Sequence, residues 1–308
     1  MNWSLASDVP LEAKLASLRA DLAALGRVVV AFSGGADSSL VARVATEVLG
    51  VADALCVTAV SASLAPEELE DCAAIASEWG LRWTKVETTE LADPAYVANG
   101  SDRCYRCKSS LLEALGPIAA SESATVVLGV NLDDLSDNRP GQGAAEERGA
   151  RFPLTVAGLT KADVREASRR LGLRTWDKPA AACLASRLPY GTPVTLGALA
   201  KVADAESALK KLGFRQLRVR HYGELARLEL EQPDLTLAVA RRDEVVAAVK
   251  SAGYRYVTLD LEGFRSGNLN GSLGGTAGAG KARSRRDPAD TSVPSAPSDV
   301  RSVSGGLR

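Results

Sequence analysis

Residues 27–32 (Arg-Val-Val-Val-Ala-Phe) are a short apolar run, the pattern of a strand buried on both faces. In 38–49 the apolar residues Leu40, Val41, Val44 and Val48 recur on one helical face. A second strand is expected over 54–60. A helix starting at Pro66 follows it, with Leu69, Cys72, Ala73, Ala76 and Trp79 at helical spacing. Further strands are expected over 82–86 and 125–130. This alternation of strand and helix predicts a parallel sheet with helices on both faces, because crossovers of this length suit parallel pairing. After about residue 193 the order changes to a helix (196–212), two strands (216–220 and 225–230), a helix (243–252) and a strand (256–261), a smaller α+β arrangement. Two loop-rich stretches, 131–153 and 177–193, lie between, and long loops of this kind often carry function.

The pattern divides the chain into 1–192, 193–270 and a tail, 271–308. The tail is rich in Gly, Ser, Ala, Arg and Pro and has no aromatic residue, a composition that predicts disorder. Its six basic residues outnumber three aspartates, leaving about −4 on the rest of a chain whose formal charge is −1. That balance disfavours binding to a nucleic-acid backbone. There is no signal-like N-terminus and no apolar stretch long enough to cross a membrane, so a cytoplasmic protein is expected.

The strand ending at Phe32 runs into Ser33-Gly34-Gly35-Ala36-Asp37-Ser38-Ser39 and then a helix. Glycines let backbone N–H groups approach an anion, and the helix N-terminus adds its dipole. Ser33, Ser38 and Ser39 offer hydroxyls, and Asp37 is a carboxylate suited to the magnesium that accompanies ATP. No Lys-Ser or Lys-Thr follows the glycines, so this is not a Walker loop, and it is not a GxGxxG fingerprint. It resembles the pyrophosphate loop of the ATP-pyrophosphatase superfamily, whose members cleave ATP to AMP and pyrophosphate. A plain strand-helix turn rich in small residues is the competing reading. A second polar loop, Gly129-Val130-Asn131-Leu132-Asp133-Asp134, should reach the same sheet edge; Asp133 or Asp134 could assist a metal and Arg139 could meet a phosphate.

Of five cysteines, Cys56 and Cys72 fall on predicted core faces. Cys104 and Cys107 form a C-x-x-C pair at the start of a helix, where basic neighbours and the helix dipole should lower their pKa values. Two thiolates do not complete a metal site, and the candidate third is Cys183, in the irregular stretch 178–191. A structural zinc site, including one completed by the only histidine, His221, and a redox disulfide remain open on these residues alone. Arg218 and Arg220 alternate along a strand and share a face, which suits a paired grip on a phosphate. Glu206 and Glu229 are weaker candidates for acid-base help, and solvated surface is the favoured reading of each.

With the glycine loop, the 129–134 loop, Lys-Pro-Ala-Ala-Ala-Cys-Leu-Ala-Ser-Arg at 178–187 and Arg-Val-Arg-His at 218–221 in order, residues 10–270 resemble the LarE family. These are ATP-dependent pyridinium-3,5-biscarboxylic acid mononucleotide sulfurtransferases that serve the nickel-pincer cofactor of lactate racemase. The resemblance implies an adenine nucleotide alpha hydrolase-like fold and ATP and Mg2+ at Ser33, Gly34, Gly35, Asp37, Ser38, Ser39 and Asn131. It implies mononucleotide binding by Ser186, Arg187, Arg218 and Arg220, chemistry that turns on Cys183 and Asp37, and a homo-oligomer. Family members take sulfur either from the cysteine matching Cys183, leaving dehydroalanine, or through a [4Fe-4S] cluster on three cysteines. Cysteines at all three places favour a cluster on Cys104, Cys107 and Cys183. A tRNA thiolase of the same superfamily and a nucleotide sensor without chemistry are the rivals.

Overall fold

The computed structural model describes residues 9–136, 148–179 and 182–265, all within one compact unit, Met1–Leu269. The tail and Arg139 lie outside the described residues. The first elements are α1 (Leu11–Leu25), β1 (Val28–Ala31), α2 (Ala36–Leu49), β2 (Ala54–Val60), α3 (Pro66–Trp79), β3 (Arg82–Glu87), α4 (Arg103–Glu122) and β4 (Thr125–Leu128). The strands form one parallel sheet in the order β3-β2-β1-β4.

Successive residues of β1 point to opposite faces, and both faces are covered. Val28 and Val30 pack with Leu18 and Leu22 of α1, Leu40 and Val44 of α2 and Ile75 of α3. Val29 joins Leu115 and Ala119 of α4 on the other side. This two-sided burial is the reason β1 reads as an unbroken apolar run. The parallel sheet flanked by helices is therefore the expected α/β fold.

Of the loop-rich stretch 131–153, the described residues include a turn of helix at Leu132–Ser136; beyond it a turn at Pro153–Val156 and a full helix, α5 (Lys161–Arg170), pack against α1 and α2. The N-terminus of α5 is fixed by a capping box between Thr160 and Asp163, and Lys14 of α1 holds Asp163 at 2.8 Å.

The smaller arrangement consists of α6 (Leu196–Lys211), β5 (Leu217–Tyr222), β6 (Leu225–Leu230), α7 (Gln232–Ala240), α8 (Arg242–Ser251) and β7 (Tyr256–Leu259). Its sheet runs β5-β6-β7, with the first pair antiparallel and the second parallel. Leu217, Val219, Ala226 and Leu228 face a core shared with Leu209 of α6 and Val249 of α8. The opposite face carries Arg218, Arg220, Arg227 and Glu229. It too is covered, by the 3-10 turn Leu184–Arg187.

Candidate active site

In a β3-β2-β1-β4 sheet the chain steps outward from β1 through β2 to β3 and then returns past β1 to β4, so the strand order reverses beside β1, and the crevice outside the strand ends there is where open α/β sheets bind ligands. A cleft of about 210 Å³ occupies that place. Ser33, Gly35, Asp37 and Ser38 line it, with Lys108 and Gly129. Gly34 has φ +66°, and a Cβ there would come 3.0 Å from the Cys72 sulfur, so the loop needs glycine for both conformation and space. Ser33 N–H donates to the Ser38 hydroxyl at 3.2 Å, and that hydroxyl donates to the Gly35 carbonyl at 3.2 Å. The loop is thus folded on itself before any ligand arrives. Ser39 is fully buried and does not line the cleft.

Gly129, just past β4, governs how closely that strand approaches the loop. A Cβ there would stand 2.7 Å from the Ser38 backbone nitrogen. Asn131 is buried and serves Asp37, its Nδ2 donating to Asp37 Oδ1 at 3.0 Å. The other Asp37 oxygen pairs with Lys161 of α5 at 2.5 Å, a partner that sequence reading missed. Asp133 accepts the Lys161 backbone N–H at 2.7 Å and Asp134 accepts the Asn131 N–H at 3.2 Å, so both carboxylates brace this corner.

Cys104 and Cys107 sit in the first turns of α4, Cys104 exposed and Cys107 half-buried, and Cys183 is exposed at the start of the Leu184–Arg187 turn. The expectation of lowered thiol pKa values is overturned at Cys107. Burial pushes its thiol up to about 12, the Cys183, Glu90 and Cys104 charges add to the rise, and Lys108 opposes them only weakly. Cys107 packs against the cluster that holds Leu184 and Ala185, so the residues that follow Cys183 lie against the start of α4. Among the described residues no three His, Cys, Asp or Glu side chains are grouped closely enough to hold a metal ion. His221 lies elsewhere, its Nδ1 3.0 Å from the Tyr254 hydroxyl, so the zinc site completed by histidine is not formed. Cys56 and Cys72 are fully buried core residues, as expected.

The segment bearing Cys183 is pinned at three successive residues. Leu184 N–H donates to the Ser63 carbonyl at 2.8 Å, Arg103 donates to the Ala185 carbonyl at 3.0 Å, and Arg220 donates to the Ser186 carbonyl at 2.7 Å. Arg187 clamps Glu206 with two bonds, 2.8 and 2.9 Å, and donates to the Ala182 carbonyl at 2.6 Å. Arg220 pairs with Glu229 at 2.8 Å. Glu206 and Glu229 are not solvated: both are buried, Glu229 on the sheet face that the turn covers and Glu206 on α6 beneath the Arg187 side chain of that turn.

These pairs leave the third arginine in a different position. Arg218 is 8% exposed, lies over the Phe264 ring at 4.7 Å, and has no ion pair or hydrogen bond among the described residues. Burial, with Arg187 and Arg220 nearby, pulls its pKa below the usual arginine value. Arg218 and Arg220 do share a face, but Arg220 is committed to Glu229 and Ser186, so the two do not make an equivalent pair.

Residues 12–103 match the NAD synthase family. Over 263 residues the chain is 49% identical to an uncharacterized protein of Synechocystis sp., covering 84% of this chain and 98% of that protein. It is 27% identical over 241 residues to an uncharacterized protein of Methanocaldococcus jannaschii, covering 78% and 91%. Over 264 residues it is 40% identical to the pyridinium-3,5-bisthiocarboxylic acid mononucleotide synthase of Lactiplantibacillus plantarum, covering 85% of this chain and 96% of that enzyme. At that identity and coverage the chain belongs to the LarE family, as an ATP-dependent enzyme of the PP-loop type.

Proposed function

We propose that this enzyme adenylates a carboxylate of pyridinium-3,5-biscarboxylic acid mononucleotide and converts it to a thiocarboxylate, a step toward the nickel-pincer cofactor. The observation that carries the reading is Arg218: a buried cation, flanked by two other arginines that already have carboxylate partners, lacks an anion of its own. A buried charge without a partner is costly, and a substrate phosphate would offset that cost. The Cys183 segment is hydrogen-bonded to this same arginine face, so a mononucleotide held by its phosphate there would lie beside the thiols.

The chemistry follows in two balanced steps. A substrate carboxylate oxygen attacks the ATP α-phosphorus and the bond to pyrophosphate breaks, leaving an acyl adenylate. A sulfur nucleophile then attacks the acyl carbon, and the C–O bond to AMP breaks, because a phosphate ester leaves where a bare carboxylate oxygen would not. In the first step Ser33, Gly35 and Ser38 hold the phosphates in the cleft. Asp37, an oxygen donor kept in place by Asn131, fits a hard cation such as Mg2+.

The soft donors Cys104, Cys107 and Cys183 fit an iron-sulfur cluster better than a hard cation. In this reading they would hold a [4Fe-4S] cluster, which would carry the sulfide to be transferred. The chain's own contribution is to keep the Cys183 backbone rigid and next to the arginine face.

The test is anaerobic turnover of the mononucleotide with ATP, read by AMP release and by mass spectrometry of the product, with iron and acid-labile sulfide measured beforehand. Arg218→Met should weaken mononucleotide binding roughly 10–100-fold, the value of a charged hydrogen bond. ATP cleavage without a thiocarboxylate product, or thiolation of tRNA in its place, would refute the assignment. A single turnover that leaves dehydroalanine at Cys183 would replace the cluster with the cysteine itself as sulfur source.

A further inference from the structure

Ser63 and Tyr96 form a pair of hydroxyls that the proposed reaction does not use. Both residues are buried, and their oxygens stand 2.6 Å apart. Each hydroxyl owns one proton, and the bond between them consumes one of the two. The other has no acceptor among the described residues.

The pair is fixed against the Cys183 segment from two sides. The Ser63 carbonyl accepts the N–H of Leu184, the residue directly after Cys183. Tyr96 sits in a helical turn, Pro94–Val97, whose start is capped by Asp93 accepting the Ala95 N–H at 2.8 Å. Past that turn the Val97 carbonyl accepts Val194 N–H at 2.8 Å, the Asn99 carbonyl accepts Gly191 N–H at 3.0 Å, and Asn99 Nδ2 donates to the Pro189 and Thr192 carbonyls, both at 2.8 Å. The chain before α4 and the chain after Cys183 therefore make one frame, and it holds the phenol in place.

That frame puts the hydroxyls beside sulfur. Tyr96 belongs to the same apolar cluster as Leu184 and Ala185, and Cys107 packs against it. Charge on a buried sulfur is costly unless hydrogen bonds meet it. A phenol is the better donor of the pair, because its proton is the more acidic. Burial, helped by the Cys183, Cys107 and Glu90 charges, pushes the Tyr96 pKa above its ordinary value although the Ser63 bond lowers it, so the phenol keeps its proton and acts only as a donor.

We propose that Tyr96 is a hydrogen-bond donor to sulfur: Ser63 donates to the phenolic oxygen, and the phenol donates its own O–H to the sulfur carried by Cys107 and Cys183. The proposal deepens the cluster reading and rests on its placing of sulfur at these cysteines. Such a donor eases negative charge on that sulfur, and hydrogen bonds to sulfur are one of the levers on a cluster's reduction potential.

The test compares the wild type with Tyr96→Phe, which keeps the ring and deletes the donor, and Ser63→Ala, which deletes only the group behind it. In anaerobically reconstituted protein, the equilibrium for adding one electron should fall about tenfold in Tyr96→Phe, a shift of about 59 mV, and by less in Ser63→Ala. Electron-nuclear double resonance of the reduced protein should show a solvent-exchangeable proton coupling in the wild type and Ser63→Ala that is missing in Tyr96→Phe. Metal-free Tyr96→Phe should bind Cd2+, followed by thiolate charge-transfer absorbance, roughly tenfold more weakly than wild type. Equal potentials with a surviving proton coupling in Tyr96→Phe would overturn the proposal. So would a coupling lost in Ser63→Ala and kept in Tyr96→Phe, since serine would then be the donor. A melting temperature of metal-free Tyr96→Phe that drops far beyond the roughly 1–6 °C of one lost hydrogen bond, with the potential unmoved, would assign the phenol to packing and also overturn it. A wild type that takes up no iron would refute the cluster assignment by itself; the cadmium titration then decides on Tyr96, a tenfold loss upholding the donor and equal affinity overturning it.

Discussion

Replacing Glu229 with glutamine tests whether the covered face of the small sheet is held together by charge. Glu229 is fully buried, and its Oε2 accepts Arg220 Nη2 at 2.8 Å while Oε1 accepts Arg227 at 3.1 Å. Arg220 is 2% exposed and its Nε has no hydrogen-bond partner, so Glu229 and the Ser186 carbonyl carry its charge. Glutamine keeps the volume, removes the negative charge and turns an NH2 toward one of the guanidinium groups. Breaking a buried pair by altering one partner costs about 3–5 kcal/mol, and an amide that keeps one acceptor belongs at the lower end, about 3 kcal/mol. For a fold of this size each kcal/mol moves the melting temperature by about 2–4 °C, so Glu229→Gln should melt roughly 6–12 °C lower. Circular dichroism melts and urea titrations of the metal-free protein measure this. The double variant R220M/E229M, which replaces the pair with apolar side chains, should regain most of the loss. The reasoning is refuted if E229Q stays within about 0.5 kcal/mol of wild type, the scatter of an ordinary surface change. It is also refuted if the double variant is as unstable as the single one, since packing rather than charge would then be at stake.

Gly129→Ala should weaken ATP-analogue binding and destabilise the fold by about 1–3 kcal/mol, because the added Cβ meets the backbone of Asp37 and Ser38, which has little room to move; calorimetry and melting check both. Under the proposed cluster assignment, Arg103→Met should reduce iron retention roughly 10–100-fold, as loss of a hydrogen bond behind a metal ligand does. Arg103 bonds both Asn99 and the Ala185 carbonyl, so metal-free variant protein should also cross-link poorly between Cys183 and the α4 cysteines with a short bismaleimide. Stability should fall as pH rises from 9 to 12. Burial holds the Cys56 and Cys107 thiols up to about 12 against an ordinary 9.0, so above 9 the unfolded chain releases protons that the folded one keeps. Each thiol contributes about 1.4 kcal/mol per pH unit over that window, and urea melts of metal-free Cys107→Ser should show the slope reduced by one thiol's share; an unchanged slope would refute the burial argument.

The fold was legible wherever a periodic pattern reflected burial. Strands such as β1, covered on both faces, announce themselves as apolar runs, and α2 shows its buried stripe directly. The elements not foreseen are those with weaker signals. In α1 a buried lysine interrupts the stripe, and α5 is so rich in charge that only Val164, Ala167 and Ser168 of its ten residues are buried. The helix α7 buries Ala238 alone. For such segments tertiary packing and caps supply what periodicity does not.

The site divides along a similar line. Residues whose chemistry follows from local context were readable: glycines at a strand-helix turn, two cysteines one turn apart and arginines at alternate positions. Residues that serve them through distant contacts were not. Nothing near Lys161 in the sequence points to Asp37, and nothing near Glu206 or Glu229 reveals that the Leu184–Arg187 turn will cover them. The consequence is more than a missed assignment. Arg187 and Arg220 looked like free cations equal to Arg218, and only their buried partners show that two of the three already have their charge met. In the proposed reading, a substrate phosphate on this face would meet one uncommitted guanidinium beside two fixed ion pairs, and its place relative to Cys183 would depend on Glu229 and Glu206 as much as on the arginines they hold.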